Sequence, residues 1–320
     1  MTLRVSSVQF QHRAGDKAYN LERIDQLSRS AARAGSRLVA FPEMCICGYW
    51  HVPKLDEGAL RLLAEPLAGP AISFVARLAR ELGMAIGAGF LELGDDSGLY
   101  NSYAVCMPDG RIHRHRKLHA WEHRLMSSGD TYTVFDTPWG IRAGILICWD
   151  NNIIENARAT ALLGAEMLIA PHQAGGGQSA SPHAMKRIPV EKWIRRLEDP
   201  EAMEAEIRGP NGREWFMRWL PSRAHDNGMF LVFSNGIGQD EDEVRTGNAM
   251  ILDPYGRIVA ETWEAADAIV TADLDLDLLN KCTGQRWLRG RRPELYGALT
   301  EPNPNGLSAM DARFSEAPTR

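Results

Sequence analysis

Glu43 closes the run RLVAFPE, Lys117 closes RIHRHRK, and Cys148 closes AGILIC. Each stands where an expected strand ends, apolar for Glu43 and Cys148 and the second arm of a hairpin for Lys117, so a carboxylate, an ammonium group and a thiol sit at three strand mouths. Alone, each has a plainer explanation. Free cysteine is among the most buried residue types and packs like a small hydrophobe. A glutamate after proline can be a loop charge, and a lysine in RHRK one of several solvated bases on a hairpin. Together they supply what thiol-based amide hydrolysis requires. A thiol attacks as thiolate and wants a neighbouring base. A carboxylate can take that proton and return it to a departing amine. An ammonium group can neutralise the oxyanion formed on the attacked carbonyl, beside the backbone N–H that follows the nucleophile.

The elements that must position these groups are legible as strand-helix units interleaved with hairpins. LRVSSVQF reads as a strand, and GDKAYNLERIDQLSRSAARAGS as a helix with Leu21, Ile24, Leu27 and Ala31 at helical spacing. RLVAFPEM is a buried strand stopped by Pro42, GPAISFVARLARELG an amphipathic helix, and MAIGAGFLEL the strand after it. NSYAVCMPDGRIHRHRKL and TVFDTPWGIRAGILIC are hairpins, the first turned at Pro108-Asp109-Gly110. NIIENARATALLGAEMLIAP repeats helix, glycine, strand, and MFLVFSNGIG and GNAMILDPYGRIVAET supply further strands. This order implies an α/β protein with a mixed sheet and helices on its faces. The segment of about 175–220, broken by prolines and glycines, is expected to be a lid or pocket wall near the active site. The tail beyond Tyr296, residues 297–320, is expected to be an extended arm or partly disordered.

With these residues in place, the chain resembles the nitrilase superfamily, the carbon–nitrogen hydrolases with a Glu-Lys-Cys triad. FPEMCICGY looks like the family's glutamate segment, HRKLHAWE its lysine segment, and GILICWDNNIIENAR its cysteine segment. The resemblance implies a general base at Glu43, an oxyanion lysine at Lys117 and a nucleophile at Cys148. It also implies a second glutamate eight residues before the aspartate of SSGD (Asp130), which is Glu122, and puts Glu155 and Arg158 at the family's acid and arginine positions. It implies a four-layer α-β-β-α sandwich in one domain over 1–296, a homodimer or higher homo-oligomer, and no cofactor or metal. Against most members, the link from Lys117 to Glu122 is short, Ile154 replaces a common proline, and the 175–220 segment is longer.

The resemblance also assigns the substrate side. Trp149, Asn151, His119 and His172 are expected to contact substrate, His172 because it falls where the family's pocket floor lies. The reaction expected is hydrolysis of a small amide or N-carbamoyl compound through a cysteine thioester. A nitrilase acting on a cyano group is the alternative, disfavoured because CWD looks closer to the amidase branch. A metallohydrolase is the rival class, since His113, His115, His119 and His123 could share a metal on one strand. Asn151 and Asn152 stand where relatives taking anionic substrates carry arginine, so a neutral or amine-bearing substrate is expected. Arg187, Arg195, Arg196 or Arg218 of the long segment could supply a missing cation. QDEDEV at 239–244 reads as a solvated loop, and Cys45, Cys47, Cys106 and Cys282 as structural.

Composition excludes several classes. Hydrophobic residues make up 44% and charged residues 24% of 320, an ordinary globular balance. A net charge of −5 offers no basic surface for nucleic acid. No apolar run approaches a membrane span, and MTLRVSSVQF lacks the pattern of a signal peptide. Five cysteines without such a leader are expected to be reduced thiols in the cytoplasm.

Overall fold

Alternate residues of the central strands face two different cores. In the strand at Leu38–Ala40 and its extension, Leu38 and Ala40 join one apolar cluster while Val39 and Phe41 join another. Near Met167–Ala170 the same alternation sends Met167 and Ile169 one way, Leu168 and Ala170 the other. A side-chain period of two on strands buried on both faces means a sheet with a layer on each side.

The computed structural model describes residues 1–176, 181–302 and 304–314. The first half of the chain forms β1 (Thr2–Phe10), α1 (Lys17–Arg33), β2 (Leu38–Ala40), α2 (Glu57–Leu63), α3 (Pro70–Leu82), β3 (Ala85–Leu93), β4 (Leu99–Cys106) and β5 (Ile112–Arg116). Then come β6 (Thr133–Asp136), β7 (Arg142–Ile145), α4 (Ile154–Leu162), β8 (Met167–His172), α5 (Val190–Ile194), α6 (Pro200–Arg208), α7 (Arg213–Met217) and α8 (Leu220–His225). The chain ends with β9 (Phe230–Asp240), β10 (Glu243–Thr246), β11 (Met250–Leu252), β12 (Ile258–Glu261), β13 (Ala268–Asp275), α9 (Thr283–Arg289) and α10 (Ala309–Phe314).

The strands run in the order β5-β4-β3-β2-β1-β9-β8-β7-β6, with β13 on β1 and β10 and β11 on β9. Parallel pairing joins β1 to β2, β2 to β3, β7 to β8, β8 to β9 and, briefly, β1 to β9. The two halves fold onto each other around an inner core that mixes Val5, Tyr103 and Val105 with Ile145, Ile169 and Val232. Outside the first half, Ile24 and Ala31 of α1 and Ile72 and Val75 of α3 pack on Val39, Ile86 and Ala104. Outside the second, Ala157 and Ala161 of α4 and Leu220 and Ala224 of α8 pack on Leu168 and Leu231. This is the four-layer α-β-β-α sandwich that the family resemblance implied.

Local signals start and stop these helices. Asp16 caps α1 by accepting from the Tyr19 N–H at 3.0 Å, an interaction whose loss costs about 1 kcal/mol. Pro70 opens α3, and Gly83 at φ 61° closes it. The predicted hairpins are present as β4–β5 and β6–β7, and GNAMILDPYGRIVAET forms a third, β11–β12.

Two expectations fail. Residues 239–244 are no solvated loop: they are the tight turn of the β9–β10 hairpin, in which Asp240 and Glu243 are buried with Arg245. A strand's alternation carries these charges inward, where each meets an opposite charge. The tail is not an extended arm throughout, because α10 folds back and packs Ala309 and Met310 against Tyr49 and Trp121. Of the long segment, residues 177–180 lie outside the described residues. The rest forms α5 to α7, with Trp193, Met203 and Ile207 building a small core against Ile237 and Val244.

Candidate active site

Glu43 lies just past the carboxyl end of β2, in a turn that packs directly on β3. A Cβ at Gly89 would stand 2.1 Å from the Met44 nitrogen and 2.9 Å from the Glu43 Cα. Only glycine permits that approach. Lys117 leaves β5 and reaches inward, and its side chain is wholly buried.

The lysine ammonium sits between two carboxylates. Glu43 Oε1 accepts from Lys117 Nζ at 2.8 Å and from Asn101 Nδ2 at 2.7 Å. Glu122 Oε1 also accepts from Lys117 Nζ, from Asn101 Nδ2 at 3.1 Å and from the Tyr49 hydroxyl at 3.2 Å. Burial opposes the charge on Lys117, but Glu122 and Glu43 outweigh it and hold the ammonium well above its ordinary pKa. Burial pushes the Glu43 carboxyl up to about 7, against the pull of Lys117 and with the repulsion of Glu122. Its second oxygen, Oε2, is buried with no hydrogen-bond partner. That leaves one basic oxygen free for a proton from elsewhere.

Cys148 opens a short 3-10 turn (Cys148–Asn151) after β7, and its backbone φ is +49°. A non-glycine residue in that region is strained by on the order of 1–3 kcal/mol and persists only where its surroundings hold it. The holding is visible. Asp150 accepts from the backbone N–H groups of Ile147 (3.2 Å), Leu118 (3.1 Å) and His119 (2.9 Å), tying the cysteine segment to the lysine segment. Arg223 Nε and Nη2 donate to the Asn151 and Asn152 carbonyls at 2.6 and 2.9 Å. The sulfur is enclosed on the protein side and half-buried overall, facing a cavity. Burial first, then the Glu43 charge, push the thiol above its ordinary pKa, while Lys117 pulls the other way. The sulfur thus feels the charge of both the carboxylate and the ammonium group.

The cavity has a volume of about 340 Å³. Its wall is aromatic: Tyr49, Trp50, Trp121, Trp149, Trp215, Phe216 and Trp219, with Met185. The rings of Trp121 and Trp149 meet edge-on at 6.3 Å, as do Trp50 and Trp121 at 6.1 Å. His172 also lines it, its imidazole pushed down by burial to about 3 and so neutral. Four residues of the long segment just named, Met185, Trp215, Phe216 and Trp219, line it as a pocket wall.

Two of the expected substrate contacts are placed elsewhere. Asn151 is fully buried below the turn, donating from Nδ2 to the Leu146 carbonyl at 2.8 Å and lying 3.2 Å from His172 Nε2. Its short side chain braces the cysteine turn, and Asn152 reaches the cavity in its stead. His119 turns onto Asp150, Nδ1 to Oδ1 at 3.0 Å, and is not part of the wall. Burial alone would raise the Asp150 carboxyl, and His115 at 3.6 Å together with the His119 hydrogen bond more than reverses it. The four histidines of 113–123 have separate surroundings: His113 stacks on Phe135, His115 and His119 flank Asp150, and His123 lies 3.1 Å from the Leu55 carbonyl. Glu155 and Arg158 line a different cavity of about 570 Å³ between α4, α8 and α9.

Sequence reasoning missed Asn101, Tyr49, Gln173, Arg223 and Arg245. Asn101 bridges the two glutamates. Gln173 donates from Nε2 to the Glu43 carbonyl at 2.8 Å, and its own carbonyl accepts from Arg245 at 2.8 Å. Tyr49 ends the glutamate segment FPEMCICGY, and the other four stand in no run that marks chemistry. The buried charges of QDEDEVR were the one signal available.

A family model described as carbon-nitrogen hydrolase matches residues 4–283. The chain is 31% identical to an (R)-stereoselective amidase from Pseudomonas sp, over 95% of this chain and 96% of that one. It is 30% identical to an N-carbamoylputrescine amidase from Arabidopsis thaliana, over 94% and 96%. Among solved structures, an amidase from Nesterenkonia sp. AN1 superposes with a TM-score of 0.68 at 19% identity, covering 93% of this chain and 97% of that one, a likeness of fold. The chain belongs to the carbon–nitrogen hydrolase family, the nitrilase superfamily, and is a hydrolase acting on non-peptide C–N bonds.

Proposed function

We propose that Cys148, Glu43, Lys117 and Glu122 carry out this hydrolysis in the aromatic cavity. The observation that carries the assignment is the free Glu43 Oε2, a buried oxygen of a carboxylate that holds the doubly paired Lys117 and whose charge acts on the half-buried Cys148 thiol. Oε2 takes the thiol proton as sulfur bonds to the carbonyl carbon. The oxygen that becomes negative is held by Lys117 Nζ and the Trp149 N–H. The C–N bond breaks as Glu43 returns the proton to the leaving ammonia or amine, leaving a thioester. Water then attacks, giving its proton to Glu43, and the sulfur leaves and recovers a proton. Glu122 keeps Lys117 oriented. Trp149 and His172 line the space where the substrate's body rests, and the rings favour a flat or apolar body.

The test is ammonia release across small primary amides, N-carbamoyl compounds and nitriles. Turnover of amides or carbamoyl compounds is expected. Turnover of nitriles alone would overturn the assignment.

The pH dependence follows from Glu43. Its carboxyl must be ionised to accept the thiol proton, and it titrates near 7. kcat/KM therefore falls as pH drops below about 7, approaching tenfold per pH unit well below it. A rate profile flat down to pH 5 would contradict a Glu43 base.

A homodimer is proposed across the face formed by α4, α8 and α9. Ile154, Trp287 and Leu299 line the larger cavity there and are 60%, 46% and 64% exposed. Size exclusion with light scattering is expected to give twice the chain mass, and Ile154→Asp with Trp287→Glu to give the monomer. All five cysteines are unpaired, and a thiol nucleophile needs reducing surroundings, which supports a cytoplasmic location.

A further inference from the structure

The cation absent from the residues beside Cys148 arrives from the other end of the chain. Ser308 Oγ caps α10, accepting from the Asp311 N–H at 3.0 Å and donating to Asp311 Oδ2 at 2.7 Å. Ala309 and Met310 anchor the helix on the cluster around Tyr49 and Trp121. Arg313 is thereby carried onto the cavity wall, with its Cζ 4.9 Å from the centroid of the Trp121 ring. Lys117 Nζ lies 5.7 Å from the same centroid. The two cations are therefore no farther apart than those two lengths laid end to end, a span within reach of one small molecule.

The other charges on the wall are already matched. Arg245 pairs with Asp240 at 2.9 Å and with Glu243 at 2.9 Å, and Glu243 also meets Arg187 at 3.0 Å. Arg313 pairs with no carboxylate among the described residues. A guanidinium resting on an indole uses its face and keeps its in-plane N–H groups for a ligand. A carboxylate takes two of them at once. An ammonium group there would meet a like charge.

We propose that Arg313 is a specificity-determining residue: it holds a carboxylate at the far end of the substrate while the scissile amide sits at Cys148 and Lys117. The preferred substrates are then short-chain monoamides of dicarboxylic acids, over the neutral and amine-bearing compounds expected from Asn151 and Asn152. This rests on the amidohydrolase assignment above.

The test compares wild type with R313Q on succinamic acid, its methyl ester and 4-aminobutanamide. Wild type is expected to show the highest kcat/KM on the free acid. In R313Q the ratio of free acid to ester falls about tenfold or more, the scale of a lost hydrogen bond between charged groups. The loss appears in KM with kcat nearly held, R313K recovers part of it, and high salt narrows the wild-type ratio. If both substrates lose equally in R313Q, Arg313 only packs α10 and the proposal is overturned. A wild-type preference for the ester or the amine overturns it too. If wild type releases ammonia from none of the three, nor from the other amides and N-carbamoyl compounds of the screen above, the amidohydrolase assignment fails separately. Calorimetric binding of succinamic acid to Cys148→Ala, with and without R313Q, then still decides: affinity lost supports the contact, and equal affinity overturns it.

Discussion

Cys148→Ala is expected to abolish turnover, by about 10⁴-fold or more, while leaving the fold intact. The substitution removes the sulfur that the proposed mechanism bonds to the carbonyl carbon, and without it no thioester forms. It removes little volume from a side chain that faces a cavity, so packing around β7 is scarcely disturbed. Alanine adopts the same positive φ at comparable cost, so the turn held by Asp150 and Arg223 remains. Circular dichroism and size exclusion should superpose with wild type, and the activity assay should read background. Hydrolysis retained in the Ala variant would remove Cys148 from the mechanism. The wild-type enzyme should likewise lose activity to thiol alkylation and keep it in the presence of chelators. Loss to chelators, restored by a metal, would return the histidine-rich segment 113–123 to consideration.

Lys117→Met is expected to cost both activity and stability, and the stability loss should grow with pH. Lys117 lies wholly buried between Glu43 and Glu122, which share Asn101 as a further donor. Removing one member of a buried charge cluster leaves the others uncompensated, typically at a cost of about 3–5 kcal/mol. The sign follows from the carboxylates. Glu43 already titrates near 7 with the lysine present, and without it the carboxyl is raised further. A raised folded-state pKa means the folded protein binds protons more tightly than the unfolded chain, so its stability falls as pH rises through that range. The variant should therefore approach wild-type stability near pH 5 and fall behind it by pH 8, measured by denaturant unfolding across pH. A constant deficit at every pH would mean lost packing alone. Activity should fall by about 10²–10³-fold through the missing oxyanion contact, even where the variant is fully folded.

The positions of Glu43, Lys117 and Cys148 were legible because each follows the end of a short strand, where a sandwich can turn a side chain toward a cavity instead of the core. Glu122 was legible only through family resemblance, since nothing about WEHR marks a buried carboxylate. Most strands could be read for the same reason: β2, β7, β8 and β9 are buried on both faces and show near-continuous apolar runs. β13 could not. Its eight residues are only half-buried and include Thr271, Asp273 and Asp275, so they resemble a loop, yet they pair with β1 along almost its whole length. Its identity as a strand comes from its partner.

The charged hairpin teaches the same lesson in the opposite direction. QDEDEVR has the composition of a solvated loop, but its strand geometry sends Asp240, Glu243 and Arg245 inward to one another, and the rings of Tyr49 and Trp50 lie 5.2 Å from the Arg245 guanidinium. Local sequence thus determined the triad positions, the strand-helix order and the mixed α/β class, because each depends on residues near one another along the chain; the four-layer arrangement came from the family resemblance. Tertiary structure alone decided which side chains face the cavity. Asn151, three residues from the sulfur, turns away beneath it, while Arg313, 165 positions later, is carried in by a helix packed on Trp121. Contact in the site is set by distance in space, and a folded chain brings its two ends as close as its neighbours.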